Sequence, residues 1–231
     1  RRTHNWIMCW LYTGTFGSFI GFSAAFPLLS KILFPEINAL QYAFLGPLVG
    51  ALARAGAGKP CDRIGGGRIT FWVFIAMSFG VGGVLYAIGM KGDASAFPVF
   101  FASFLFLFAA TGVGNASTFQ MIPAIMRLEV ARLEPQMSQP ERVKQSDKEA
   151  AAIIGFTSAI AAYGAFFIPK SFGTSIAMTG GAGAALYGFL GFYLSCIAIT
   201  WWFYTRRGGL LFDTEHGVPA GSARPLPTPA E

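Results

Sequence analysis

Residues 40–58 read LQYAFLGPLVGALARAGAG, and within this run Arg54 is the only charged side chain. A cation in an apolar span costs roughly 2.5–3.5 kcal/mol on membrane-insertion scales, so it usually faces a protein interior or a water-filled path that supplies a negative partner. The stretch therefore predicts a membrane-spanning helix with an arginine retained for function. The rest of the sequence has to indicate what that negative partner is.

The composition of the chain indicates a polytopic membrane protein. Of its 231 residues 54% are hydrophobic and only 12% are charged, which is too few to cover a soluble surface. The net charge of +6 lies in short connections between apolar runs, so nucleic acid is not expected as a partner. Three scattered cysteines without a CxxC pair predict neither a disulfide framework nor a metal site, and we expect no cofactor.

Six runs reach the roughly 20 apolar residues that one membrane crossing requires. They cover residues 6–30, 39–58, 69–90, 97–126, 151–176 and 183–204. Residues 1–207 are therefore predicted to form one six-helix transmembrane unit, and the Gly- and Pro-rich tail 208–231 is predicted to be a disordered cytoplasmic segment. Because the chain lacks an initiator Met and a signal peptide, we expect it to be a fragment of a longer protein.

The distribution of basic residues predicts the orientation in the membrane. Thirteen of the 17 Lys and Arg residues lie in the N-terminus, the even-numbered connections and the tail, whereas three lie on the opposite side and Arg54 lies in a span. Cytoplasmic loops carry an excess of Lys and Arg. Both termini are therefore predicted to be cytoplasmic.

The second span is followed by GKPCDRIGGGR, residues 58–68, which predicts a tight cytoplasmic turn. Asp62 is expected to accept hydrogen bonds from a neighbouring helix N-terminus, while Arg63 and Arg68 remain in the headgroup region. An ordinary positively charged loop is the alternative reading of this segment.

Two other spans carry side chains at helical spacing. The first span places an aromatic stripe on one face, at Tyr12, Phe16, Phe19 and Ser23, and the fifth has a stripe of small residues at Gly155, Ser158, Ala162, Ala165 and Pro169. Such stripes usually serve helix packing. Ser158 differs from its neighbours, because its hydroxyl can donate to an anion.

Four runs carry a family resemblance: YTGTFGSFIGFSAAF (12–26), LQYAFLGPLVGALAR (40–54), STFQMIP (117–123) and GFTSAI…FFIPKSFG (155–173). Together they resemble the C-terminal half of the nitrate/nitrite porters of the major facilitator superfamily, and residues 58–68 resemble the GxxxDRxGR-type loop of that superfamily. The resemblance implies an all-α membrane protein, half of a twelve-helix transporter. Its six helices would form two inverted three-helix repeats, 6–90 and 97–204, in a lipid bilayer beside the N-terminal six-helix half that this chain lacks.

The resemblance also implies roles for individual residues. The family binds its planar anion between two arginines, one from each half, and Arg54 matches the arginine of the C-terminal half. Tyr12 and Phe16 match residues that contact or sandwich the anion, and Gly155 and Ser158 match the start of a glycine-rich nitrate signature. Residues 62, 63 and 68 would form a cytoplasmic gating loop. The expected activity is nitrate uptake coupled to nitrite export in a bacterial inner membrane.

The spans contain no Asp or Glu, so a proton-driven step through this half is disfavoured and anion exchange is the expected mechanism. A superfamily carrier for another small or organic anion is the main alternative. An intramembrane enzyme would need a nucleophile and base or metal ligands, and the two histidines, His4 and His216, lie outside the spans. A non-transporting scaffold would have no need to place Arg54 in a span.

Overall fold

The computed structural model describes residues 3–90 and 92–212, and this part of the chain is helical, with no strand in it. The helices in chain order are α1 Thr3–Tyr12, α2 Ser18–Leu33, α3 Leu45–Ile64, α4 Gly66–Gly89, α5 Ala96–Leu133, α6 Gln139–Ala162, α7 Gly164–Thr179 and α8 Gly183–Thr200. Only short breaks in the α-helical pattern separate α1 from α2 and α6 from α7. Each of these pairs forms one continuous segment, so the eight helices make six segments. The predicted all-α class is confirmed.

Five of the six segments in the described part of the chain are long and apolar enough to cross a membrane. They are Thr3–Leu33, Gly66–Gly89, Ala96–Leu133, Gln139–Thr179 and Gly183–Thr205. The sixth, α3, has 20 residues and is therefore about 30 Å long, which is sufficient to span the hydrocarbon core. It is less apolar than the others because it carries Arg54 and continues through the charged residues Lys59, Asp62 and Arg63.

The first segment changes its helical geometry near its middle. Residues Thr13–Gly17 form a π-helical turn between α1 and α2, and the Thr13 hydroxyl donates to the Cys9 carbonyl oxygen at 2.7 Å. The proline of this segment, Pro27, lies further along, inside α2. Single π turns within a helix are frequent at functional sites.

The connection between α3 and α4 is shorter than the sequence suggested. Residues 58–64 continue α3, and the reversal takes place at Gly65 alone, with φ 100° and ψ 138°. Side chains with a Cβ rarely adopt this conformation, so glycine is required at the position. The predicted turn over residues 58–68 is therefore wrong in its extent, although it does contain the reversal.

The connection between α5 and α6 is also short. The loop spans residues 134–138, and the backbone N–H and hydroxyl of Ser138 donate to Glu141 Oε2 at 3.1 and 2.7 Å. This reciprocal capping starts α6 at Gln139. Helix α6 therefore begins well before residue 151, where the fifth span was predicted to start. Arg127, near the end of α5, pairs with Asp147 of α6 at 3.7 Å.

Helix α5 lies at the centre of the bundle, in contact with α3, α4, α6 and the first segment. An aromatic cluster fills one half of the core, with ring centroids 5.2 Å apart for Phe26 and Phe104 and 4.9 Å apart for Phe100 and Phe104. In the other half, a Cβ placed on Gly112 would lie 2.1 Å from the Gly50 carbonyl oxygen. The backbones of α3 and α5 are therefore in direct contact.

The described chain ends in a short folded segment. Leu210 N–H donates to the Phe203 carbonyl oxygen at 2.8 Å, and Leu211 is buried. The remainder of the tail predicted to be disordered, residues 213–231, lies outside the described residues, as do Arg1, Arg2 and Lys91, which the orientation argument used.

Candidate functional site

Three of the predicted anion-binding residues lie close together, although they come from three different segments. Tyr12 is the last residue of α1 and is only 3% exposed. Its hydroxyl hydrogen-bonds to the Ser158 side chain of α6, and the charge of Arg54 on α3 acts on the same hydroxyl. Two neutral hydroxyls are therefore adjacent inside an otherwise apolar bundle, and the Arg54 guanidinium lies within electrostatic range of them.

The aromatic residue Phe16 lies against this region. Its ring stacks on Tyr12 with the centroids 5.2 Å apart and the planes inclined by 26°. Tyr12 immediately precedes the π turn Thr13–Gly17 and Phe16 lies within it, so the widened turn holds the two rings nearly parallel. Stacked aromatic faces of this kind can limit a neighbouring site to a thin ligand and exclude water from it.

Arg54 opens into a cavity of about 450 Å³ between α3 and α5. Apolar and small residues of both helices form most of its lining: Ala51, Ala55, Gly58, Cys61, Ala116 and Phe119. The guanidinium is exposed in this six-segment unit, so nothing in the described chain covers it fully. The direct contact between Gly50 and Gly112 lies one turn before Arg54 and fixes the position of α3 against α5.

A carboxylate lines the same cavity at its far end. Asp62 is eight residues after Arg54 on α3, a distance of about 12 Å along the helix axis at a rise of about 1.5 Å per residue. It accepts a hydrogen bond from the Gln120 side-chain amide of α5. Asp62 is thus joined to α5 through Gln120, where the sequence suggested a helix N-terminus as its partner.

The other two members of the predicted gating loop are placed separately. Arg63 lies in the last turn of α3 and lines a second cavity of about 400 Å³, together with Arg127 and Leu211. Arg68 lies in the first turn of α4. The three residues lie around one end of α3 and α4, and their role in gating remains a prediction.

Gly155 lies one turn before Ser158 on α6 and is exposed. A Cβ placed on it would meet no atom within 4 Å, so it is not a helix-packing contact in this unit. The glycine that packs closely in this region is Gly164, whose added Cβ would lie 2.3 Å from the Gly17 carbonyl oxygen. The glycine of the stripe, Gly155, is thus an open position beside Ser158, whereas the closely packed Gly164 lies outside the stripe.

Two features near this site were missed by the sequence reading. One is the π turn Thr13–Gly17, for which the sequence offers no reliable signal. The other is Asn115, which is buried on α5 within the run TGVGNAST. A polar carboxamide inside an apolar span is a recognised signal of function, and it could have been singled out on that basis.

The described residues include no group of three or more His, Cys, Asp or Glu side chains able to hold a metal. What they do include is an arginine in a span, hydroxyl donors beside it and an open cavity between helices. These features belong to a six-segment helical unit with several membrane-length apolar helices.

Comparison with known proteins shows which proteins the chain is similar to. The chain matches no protein-family model. Over 210 residues, 90% of this chain and 45% of the relative, it is 44% identical to the nitrate/nitrite transporter NarU of Salmonella typhimurium, and its identity and coverage are the same for NarU of Escherichia coli. It is 38% identical over 213 residues to NarK2 of Thermus thermophilus, described as a probable nitrate/nitrite antiporter, and covers 43% of it. The predicted resemblance to nitrate/nitrite porters is confirmed, and the chain spans about half the length of these relatives.

Proposed function

We propose that this chain is the C-terminal half of a nitrate/nitrite carrier, in which Arg54 binds the anion together with an arginine of the N-terminal six-helix half. The observation that carries the proposal is the pairing of Tyr12 with Ser158 from two distant segments, within electrostatic range of Arg54 on a third. The names of the relatives support nitrate and nitrite as the substrates. Such a protein moves its substrate without chemical change, so it is a carrier and not an enzyme.

The guanidinium of Arg54 suits a small planar oxyanion. It presents paired N–H donors in one plane, it matches two oxygens at once, and it stays charged at any physiological pH. The hydroxyls of Tyr12 and Ser158 add neutral donors, and the stacked ring of Phe16 favours a flat ligand. Gly155 leaves open space beside Ser158 through which the anion or the opposite half can approach.

We further propose that transport is an exchange of nitrate for nitrite. The predicted spans contain no Asp or Glu, and Asp62 lies about two turns from Arg54 and is engaged by Gln120. The substrate is then the group that neutralises Arg54 in the closed intermediate. An empty carrier would have to enclose an uncompensated charge, which is costly, so its return is slow.

The first test replaces Arg54 by Lys in the carrier that contains both halves. Lysine keeps the charge but loses the fork, so nitrate uptake at low substrate concentration should fall about tenfold or more, as expected for the loss of a hydrogen bond to a charged group. Arg207→Lys is the matched control, because Arg207 is exposed and does not line the Arg54 cavity, so it should tolerate the change. Near-normal uptake by the Arg54 variant would refute recognition through the fork.

A second measurement addresses exchange. Vesicles containing the carrier and loaded with nitrite should take up nitrate rapidly, whereas vesicles loaded with an inert anion should take up little. Equal uptake in the two preparations would contradict obligatory exchange while leaving nitrate recognition by Arg54 in place.

We propose that the protein lies in a bacterial inner membrane with both termini in the cytoplasm. The five apolar helical segments support a multi-pass membrane protein. The orientation rests on the excess of Lys and Arg in the connections assigned to the cytoplasmic side.

A further inference from the structure

Asn115 of α5 has a buried polar atom without a partner. The residue is 1% exposed, and its Oδ1 atom accepts no hydrogen bond within the described structure. Leaving such a group unsatisfied costs about 1–3 kcal/mol. A buried carboxamide oxygen without a partner in an apolar span therefore calls for an explanation.

Its polar neighbours on α5 do not share this property. Thr111 donates to the Phe108 carbonyl oxygen at 2.9 Å, and Thr118 donates to the Gly114 carbonyl oxygen at 2.7 Å. Ser117 hydrogen-bonds to Thr70 of α4 at 2.7 Å. These buried hydroxyls are satisfied inside the bundle, whereas Asn115 Oδ1 is not. Further along α5, Gln120 Oε1 is also unpaired, but the Gln120 amide donates to Asp62.

The position of Asn115 places it next to the candidate anion site. At about 100° per residue, it lies about 60° around the α5 axis from Thr118 and about 40° from Phe119. Phe119 lines the Arg54 cavity. Asn115 therefore occupies the strip of α5 between the side that faces the first segment and the side that faces α3.

Contacts on both sides of this strip lead to the residues of the site. Thr118 hydrogen-bonds to the hydroxyl of Thr15 at 3.0 Å. Thr15 belongs to the π turn that follows Tyr12 and contains Phe16. On the side of α5 that faces α3, Gly112 touches the backbone of α3 at Gly50, one turn before Arg54. The carboxamide lies between these two anchored contacts.

We propose that Asn115 is a further anion-binding residue and helps the carrier to distinguish nitrate from nitrite. This inference rests on the proposed function. The terminal torsion of asparagine is broad and roughly two-fold, so its NH₂ group can be turned into the space that Oδ1 occupies. It then supplies a neutral donor from a fourth segment without adding charge. An additional donor favours the anion with the additional acceptor oxygen, which is nitrate.

The test uses the carrier with both halves and measures the affinities for nitrate and nitrite separately. In Asn115→Ala, the dissociation constant for nitrate should rise about tenfold to hundredfold, and that for nitrite should rise at least threefold less. The melting temperature without anion should stay the same or rise, because an unsatisfied polar group has been removed. Thr111→Val is the matched control, since Thr111 is equally buried on the same helix and already satisfied; its affinities should remain within twofold.

Asn115→Val provides a second variant in case alanine impairs folding, because it fills more of the side-chain volume without burying a charge. It removes the amide donor, so nitrate affinity should again fall about tenfold or more. Nitrate affinity within twofold of the unmodified carrier in either folded variant, or an equal loss for both anions, would overturn the inference.

Failure of this inference can be told apart from failure of the proposed function. If the unmodified carrier binds nitrate and Arg54→Lys loses binding while Asn115→Ala retains it, the role of Asn115 is refuted and the carrier function stands. If the unmodified carrier binds neither anion, the proposed function is refuted and the inference with it.

Discussion

Replacement of Gly112 by alanine tests whether the contact between α3 and α5 positions Arg54. An added Cβ would lie 2.1 Å from the Gly50 carbonyl oxygen, whereas ordinary contacts begin at 3.4 Å. The two backbones must therefore separate by about 1.3 Å, the difference between these two distances. Overpacking of this kind costs about 1–3 kcal/mol, and it outweighs the gain of about 1 kcal/mol that alanine brings to a helix relative to glycine.

The functional effect of Gly112→Ala should exceed its effect on stability. Arg54 lies one turn from Gly50 on the helix that has to move, and a misplacement of about 1 Å can lower the rate of a positioned reaction about a hundredfold. We expect nitrate uptake to fall at least tenfold, with a melting temperature lowered by a few degrees. Gly82→Ala on α4 is the matched control, because a Cβ there meets no atom within 4 Å.

Two measurements on the same preparations give the result. Uptake of isotope-labelled nitrate into vesicles reports function, and thermal unfolding of the purified carrier reports stability. If Gly112→Ala transports nitrate like the unmodified carrier and melts at the same or a higher temperature, α3 is not held by this contact and the positioning argument is wrong.

Two other predictions concern packing and orientation. Tyr193→Phe should destabilise the bundle by about 1–3 kcal/mol, because it removes the 2.7 Å hydrogen bond to buried Ser18 and leaves that hydroxyl without its partner. The double variant with Ser18→Ala should recover part of the loss. An unchanged melting temperature in the single variant would contradict this. A membrane-impermeant maleimide added to intact cells should label Asp93→Cys but not Gln136→Cys, since the two exposed loops are predicted to lie on opposite sides of the membrane. The native cysteines are buried and should not react. The reverse labelling pattern would show that the orientation is inverted.

The sequence predicted the helical segments well because their signal is local. Each predicted span lies largely within a helical segment, since long apolar runs separated by charged or Gly- and Pro-rich connections are visible in the chain itself. The ends of the segments were less predictable. Helix α3 continues through residues 58–64, and the turn is confined to Gly65, because a single residue with positive φ suffices to reverse the chain.

The candidate site was only partly predictable for a different reason. Arg54 is visible in the sequence as a lone charge in an apolar run, and the resemblance to nitrate/nitrite porters pointed to Tyr12 and Ser158. The resemblance implied that these residues meet at one anion, but the residues themselves could not show it, because their proximity depends on the packing of three segments distant in sequence. The Asp62 partner was assigned wrongly for the same reason, since Gln120 is 58 residues further along the chain.

The sequence by itself determined that this is a helical membrane protein with one arginine in an apolar span, because apolar length and charge placement are properties of consecutive residues. Only the tertiary structure decided that the Tyr12 hydroxyl bonds to Ser158 within electrostatic range of Arg54, that Gly112 lets α5 touch α3, and that the Asn115 side-chain oxygen is buried without a partner. Those facts depend on which helix faces meet, and that is set by close packing across the whole bundle.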